Sequence, residues 1–234
     1  MKYLKTLHYF LLPAVLLLAA CNSNEIANSK DVNPETVYME YTVSYSAALD
    51  SVSCRAQYRF GGINGTTLVL NPPSKLELDG HVLTVDSAEY TGAFYARNIA
   101  ASQFAGNHKW KFTSIDGKTY TTAFSFGPVV CKTELPAVIG KNDIDFEITG
   151  TSPRDSITIE ISDTASGTPD IRRRQLITDS KLTVTVAELK QLTNGPLAIS
   201  IYRNEDLPLT NATREGGHIV FNYEIKQYQV ILKE

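Results

Sequence analysis

From Val37 onward the apolar residues recur with a period of two, and this alternation restricts the possible folds more than any other feature of the chain. A strand with one buried face needs every second side chain to be apolar, whereas a helix needs a period near 3.6. Val37, Met39, Tyr41, Val43 and Tyr45 share one face, and Tyr38, Glu40, Thr42 and Ser44 share the other. Cys54, Ala56, Tyr58 and Phe60 alternate in the same way with Arg55, Gln57 and Arg59.

Turn chemistry sets the register of two hairpins. Asp79-Gly80 predicts a two-residue turn that pairs Leu78 with His81 and Leu76 with Leu83, so that Leu76, Leu78, Leu83 and Val85 line one face. At Asp116-Gly117 a two-residue loop would turn Tyr120, Phe124 and Phe126 away from Trp110. A loop of Ile115 to Gly117, with Gly117 left-handed, pairs Phe112 with Tyr120 and puts all these rings with Trp110 on one face. Those rings are the expected core of a first unit.

A second unit is expected to begin near Leu135-Pro136. Ile144, Phe146 and Ile148 alternate with Asp143, Asp145 and Glu147; Ile157, Ile159 and Ile161 follow, and then Leu182, Val184 and Val186. Ala187 to Leu192 is expected to make one helical turn before Leu197, Ile199 and Ile201 resume the strand period. Gly216-Gly217 precedes a last strand region, His218 to Leu232. Short strands without intervening helices predict an all-β chain of two tandem β-sandwiches, residues 36–134 and 135–234. The run from Leu182 to Tyr202 resembles the strand, short turn and strand late in immunoglobulin-like domains, which makes the expected modules immunoglobulin-like. The antibody-type Cys-Trp-Cys spacing is absent.

Residues 1–20 have the layout of an export signal. Lys2 and Lys5 precede an uncharged stretch from Tyr9 to Ala20, too short to span a bilayer as a helix. Leu18-Ala19-Ala20-Cys21 resembles the lipobox of bacterial lipoproteins of the Bacteroidota type. That resemblance implies thioether attachment of a diacylglycerol to the Cys21 sulfur, cleavage before Cys21, usually acylation of its amine, and a cell-envelope location, most often the outer membrane. In such lipoproteins an acidic run after the cysteine directs surface display; here Glu25 is the only acid before Lys30, so the face of the membrane stays open. Residues 21–35, polar and without an aromatic ring, are expected to form a flexible tether.

Removing Lys2 and Lys5 from 22 basic side chains leaves 20 against 25 acidic ones, a net charge of −5. A mildly acidic chain without a basic tail argues against nucleic acid as a partner. Of three cysteines, Cys21 is assigned to lipid, which leaves Cys54 and Cys131 in an oxidising compartment. A Cys54–Cys131 disulfide is expected; two separate buried thiols are the alternative, because sequence cannot place their Cα atoms within bridging distance.

No metalloprotease, nucleophile-elbow, Cys-x-x-Cys or phosphate-loop pattern occurs. His108 shares a face with Trp110 and would need a positioned acid and nucleophile to be catalytic; a rim histidine is the plainer reading. Asp143, Asp145 and Glu147 project from one strand face and form a candidate calcium site, against a solvated face paired with Arg172, Arg173 and Arg174. Those arginines are alternatively a site for an anionic glycan. Tyr38, Tyr90, Tyr95, Tyr202 and Tyr228 are candidate sugar-stacking rings, against ordinary strand propensity. Asp50-Ser51, Asp86-Ser87, Asp155-Ser156 and Asp163-Thr164, each followed by a small or apolar residue, resemble the Bacteroidota O-glycosylation motif. That resemblance implies modification of Ser51, Ser87, Ser156 and Thr164. The expectation is a non-enzymatic, membrane-anchored envelope lipoprotein acting in binding or structural interaction, its partners the membrane and a glycan or envelope protein; a glycan-binding accessory of polysaccharide uptake, or a small glycosidase or peptidase, are the alternatives.

Overall fold

The computed structural model describes residues 25–88, 91–152, 155–163, 171–177 and 179–234. The signal and Cys21 therefore lie outside the described residues. The first half contains β1 (Ile26–Asn28), β2 (Val37–Ser46), β3 (Ser51–Phe60), β4 (Thr66–Val69) and β5 (Lys75–Leu78). It continues with β6 (His81–Leu83), β7 (Val85–Ala88), β8 (Gly92–Ala100), β9 (Gly106–Thr113) and β10 (Thr119–Phe126). The second half contains β11 (Val130–Cys131), β12 (Val138–Ile139), β13 (Ile144–Thr149), β14 (Ser156–Asp163), β15 (Ile171–Leu176) and β16 (Lys181–Val184). The long strands β17 (Gly195–Pro208) and β18 (Gly217–Leu232) complete it.

As the alternation predicts, the chain is all-β, with sheets packed face to face in sandwich-like fashion. A large sheet runs β1-β4-β3-β2-β18-β17-β14-β15, with β7, β8 and β12 attached. Two smaller sheets, β10-β9-β5-β6 and β11-β13-β16, lie against it. The four-stranded sheet packs through Trp110, stacked on Tyr41 at 5.1 Å between ring centroids, and through Phe112 on Tyr58 at 4.4 Å. Offset stacking of this kind adds about 0.5–1.5 kcal/mol per pair to area burial. The three-stranded sheet packs through Phe146, whose ring centroid lies 5.6 Å from that of Tyr228.

Both expected hairpin registers are present. Leu78 pairs with His81 across Asp79 (φ 51) and Gly80 (φ 82), and Phe112 pairs with Tyr120 across a turn that holds Gly117 at φ 83. Val85 departs from the expected apolar face: it begins β7 in the large sheet and is 42% exposed. Val186 also departs, opening a helical turn (Val186–Leu189) in which Thr185 and Glu188 form a capping box.

Strand pairing runs through the boundary expected between residues 134 and 135. The first half of β18 pairs in parallel with β2, Gly217 opposite Met39 and Glu224 opposite Ser46. The whole of β18 pairs with β17, whose first half pairs with β14. Gly217 stands where β18 meets β2, and a Cβ there would collide with the Met39 carbonyl oxygen. Between Ile201 and Tyr202 the partner on β18 moves from Lys226 to Glu224, leaving Ile225 as a bulge. Phe221 and Tyr223 before the bulge, and Tyr228 and Val230 after it, thus face the same side. Both smaller sheets cover that side.

The expected tether is shorter than residues 21–35. Ile26–Asn28 pairs in parallel with β4, and Ser29 is buried, its Oγ accepting from the Asn71 amide at 2.8 Å. Glu35 then ties three segments together. Its Oε1 accepts from Lys118 Nζ at 2.8 Å and from the Tyr120 hydroxyl at 3.2 Å, and its Oε2 accepts from the Arg214 amide at 3.3 Å. The hydrogen bond from Lys118 holds the Glu35 carboxyl below its ordinary value of 4.5. A carboxyl depressed in the folded state stabilises fully above its unfolded pKa and loses that contribution as pH falls through the folded value. Acidification from about pH 5 to pH 3 should therefore lower the Tm of the wild type more than that of Glu35→Gln. Equal slopes in thermal melts would mean that these contacts contribute nothing.

Candidate functional site

The side of the large sheet opposite the two smaller sheets carries a groove of about 550 Å³. It crosses β3, β2, β18, β17 and β14, which are consecutive neighbours. Because each strand alternates, the register fixes which outward side chains stand abreast. One transverse row runs Ser51, Ser46, Glu224, Tyr202, Thr158, Arg174. Beside it, Ser53, Ser44, Asn222 and Asn204 form a second row. Six strands at about 4.8 Å make the longer row about 24 Å.

Hydroxyls and amides dominate the lining, and most are unengaged. The Tyr202 hydroxyl donates to Glu160 Oε2 at 3.2 Å, and Arg172 Nε lies 3.6 Å from the same oxygen. Among the described residues the side chains of Ser44, Ser53, Asn204, Asn222 and Glu224 have no protein partner. Glu160 and Glu224 sit two strands and two residues apart, about 12 Å between backbone positions.

A second cavity, about 440 Å³, occupies the seam between the two smaller sheets. Its charges satisfy one another. Arg203 donates to Asp155 at 3.0 Å and to Glu205 at 2.8 Å, and its guanidinium lies 5.4 Å from the Tyr223 ring centroid. The seam is a closed network, whereas the groove presents donors and acceptors outward.

The Cys54–Cys131 bridge is not formed, and this corrects the expectation. Both thiols are free and buried, on strands that are not neighbours in any sheet. Cys54 on β3 stands between Val43 and Arg97, and burial pushes its thiol up to about 12. Cys131 on β11 stands opposite Ile148, its Sγ 3.2 Å from the Tyr228 hydroxyl. The acidic stripe does not converge as a calcium site either. Asp145 accepts from Thr183 at 2.6 Å and Lys181 at 3.1 Å, Glu147 from Lys132 at 3.2 Å, and Asp143 from the Val186 amide at 2.6 Å. Among the described residues no three His, Cys, Asp or Glu side chains gather as metal ligands. The cations facing the stripe are lysines, not Arg172, Arg173 and Arg174.

Of the tyrosines singled out, Tyr202 reaches the groove. Tyr95 and Tyr228 are buried, Tyr38 packs edge-on against His218, and Tyr90 lies outside the described residues. His108 stacks on Phe104, with Nδ1 2.8 Å from Asp79 Oδ2 and Nε2 2.7 Å from the Phe104 carbonyl oxygen. Both ring nitrogens are engaged. Ser51 lines the groove, Ser87 is exposed, Ser156 is half-buried, and Thr164 lies outside the described residues. The groove serines and asparagines escaped sequence reasoning because an outward polar residue on a strand carries no signal until its neighbours are known.

No family model matches the chain, and no curated protein sequence matches it. Similar solved structures include one reporting host cell surface retention of a 1.5-MDa bacterial ice-binding adhesin, at 11% identity and TM-score 0.24, covering 86% of this chain and 66% of that one. DIP-gamma IG1+IG2 is 9% identical at TM-score 0.23, covering 81% and 96%. The Bacteroides ovatus mixed-linkage glucan utilization locus SGBP-B, in complex with a mixed-linkage heptasaccharide, is 16% identical at TM-score 0.22, covering 88% and 45%. Likeness at these levels assigns neither ligand nor activity. No helix among the described residues is long and apolar enough to cross a membrane.

Free, buried thiols predict that Cys54 and Cys131 both alkylate after denaturation without reductant and resist alkylation in the native protein. A mass lacking both adducts would restore the bridge.

Proposed function

We propose that this chain is a non-enzymatic binding protein that holds an extended, polyhydroxylated ligand, a glycan, along the open face of its large sheet. The observation that carries the reading is the in-register array of unengaged hydroxyls, amides and Glu224. Each sugar hydroxyl both donates and accepts, so a ligand bearing many of them suits a lining of serine and asparagine. The core of a protein interface would instead be aromatic and aliphatic, and here Tyr202 is the one ring projecting from the two rows. Neither carboxylate of the groove has a partner placed for acid–base work. Replacing Asn204 and Asn222 together by alanine removes two hydrogen-bonding side chains, with each hydrogen bond worth about 0.5–1.5 kcal/mol. The double variant should bind an oligosaccharide ligand about tenfold more weakly in titration calorimetry, with an unchanged Tm. Undiminished affinity would remove the groove from consideration.

The protein acts at the cell envelope, carried there by acylation of Cys21 after cleavage of residues 1–20. Leu18-Ala19-Ala20-Cys21 supports this, and two or more acyl chains suffice for stable membrane attachment. A Cys21→Ser variant should appear in the soluble fraction and lose labelling by radioactive palmitate. Equal labelling of variant and wild type would end the lipoprotein reading.

A further inference from the structure

The longer polar row ends on β15, the edge strand of the large sheet, and there its chemistry changes. Arg174 stands opposite Thr158, next to Tyr202, and Arg172 stands opposite Glu160. A cavity of about 410 Å³ opens at this end, lined by Thr158, Arg172, Arg173, Arg174, Tyr202 and Asn204. It shares Tyr202 and Asn204 with the groove, so the two are continuous. Arg173 is already engaged: it donates to Glu188 at 2.6 Å, to Gln175 at 2.5 Å and to the Thr183 carbonyl oxygen. Arg172 is 67% exposed and reaches Glu160 only at 3.6 Å, while Arg174 is exposed and has no acid partner among the described residues. The opposite end of the row carries Ser51 and Ser46, followed by Glu224 on β18, and no cation.

We propose that Arg172 and Arg174 form an anion subsite, so that the ligand is an acidic glycan whose carboxylate or sulfate lies over β15 while its hydroxyls follow the row toward β3. This rests on the reading of the row as a glycan site. A planar guanidinium presents paired N–H donors that match a carboxylate or sulfate oxygen pair. Glu224 disfavours the anion at the middle of the row and no cation of the row awaits it at the β3 end, so the asymmetry of charge also orients the ligand.

The test uses two pairs of polymers that differ only in charge: dextran sulfate against dextran, and polygalacturonate against its methyl ester. Retention in affinity electrophoresis is measured at physiological ionic strength for the wild type, Arg172→Gln/Arg174→Gln, and a control, Lys132→Gln, remote from the groove. The expected result is at least tenfold tighter binding of the charged member of one pair by the wild type and the control, with that preference abolished in the arginine variant. Preference within the first pair identifies sulfate, and within the second carboxylate. Equal binding within both pairs, or a preference that survives in the arginine variant, overturns the subsite and leaves the arginines as protection of a free strand edge. Binding of none of the four polymers overturns the glycan reading together with it.

Discussion

The bulge at Ile225 is the constraint on which the rest of the architecture depends. Side chains on a strand alternate strictly, so a regular β18 would put Phe221 and Tyr223 on one face and Tyr228 and Val230 on the other. One extra residue restores the parity. The strand then contributes Phe221 and Tyr223 beneath the four-stranded sheet and Tyr228 beneath the three-stranded sheet. With both coverings on one side, the opposite side stays open over six consecutive strands, which is what a 24 Å polar row requires.

Local chemistry was legible in the sequence, and distant pairing was not. Asp79-Gly80 and Gly117 specify their own registers because a left-handed turn residue and the demand that aromatic rings share a face leave one solution each. The isoleucines at 157, 159 and 161 face inward as their period requires. Nothing near Val37–Ser46, however, states that its second neighbour lies some 180 residues away in β18. Side chains whose meaning depends on that neighbour were therefore misread or passed over. Ser44 and Ser46 look like ordinary outward residues until Asn222 and Glu224 are set beside them. Cys54 and Cys131 look like a pair until Cys54 proves to stand between Val43 and Arg97 and Cys131 opposite Ile148. Asp145 looks like a ligand until Lys181 and Thr183 arrive on β16.

The two cavities show how charge separates structural polar groups from available ones. At the seam, Arg203 sits between Asp155 and Glu205 beside the face of Tyr223. A half-buried cation of this kind is tolerable because its partners are close; removing either acid would leave it uncompensated. On the open face Glu224 and Arg174 stand apart from one another, with the hydroxyls of Tyr202 and Thr158 between them. Polar groups that satisfy each other hold a fold together, and polar groups left facing solvent in register are free to recognise something else.

The parallel pairing of β2 with the first half of β18 also bears on the order in which the chain becomes compact. A polypeptide delivered N-terminus first exposes β2 early, with β3 on one side and an unfilled edge on the other. The strand that fills that edge is among the last segments to emerge. Until residues 217–224 arrive, the first sheet is incomplete and Tyr45 lacks its contact with Tyr223. Contacts of such sequence separation are slow to form. The first sheet consequently cannot close until the end of the chain is present, so any truncation that removes β18 also leaves β2 with an empty edge.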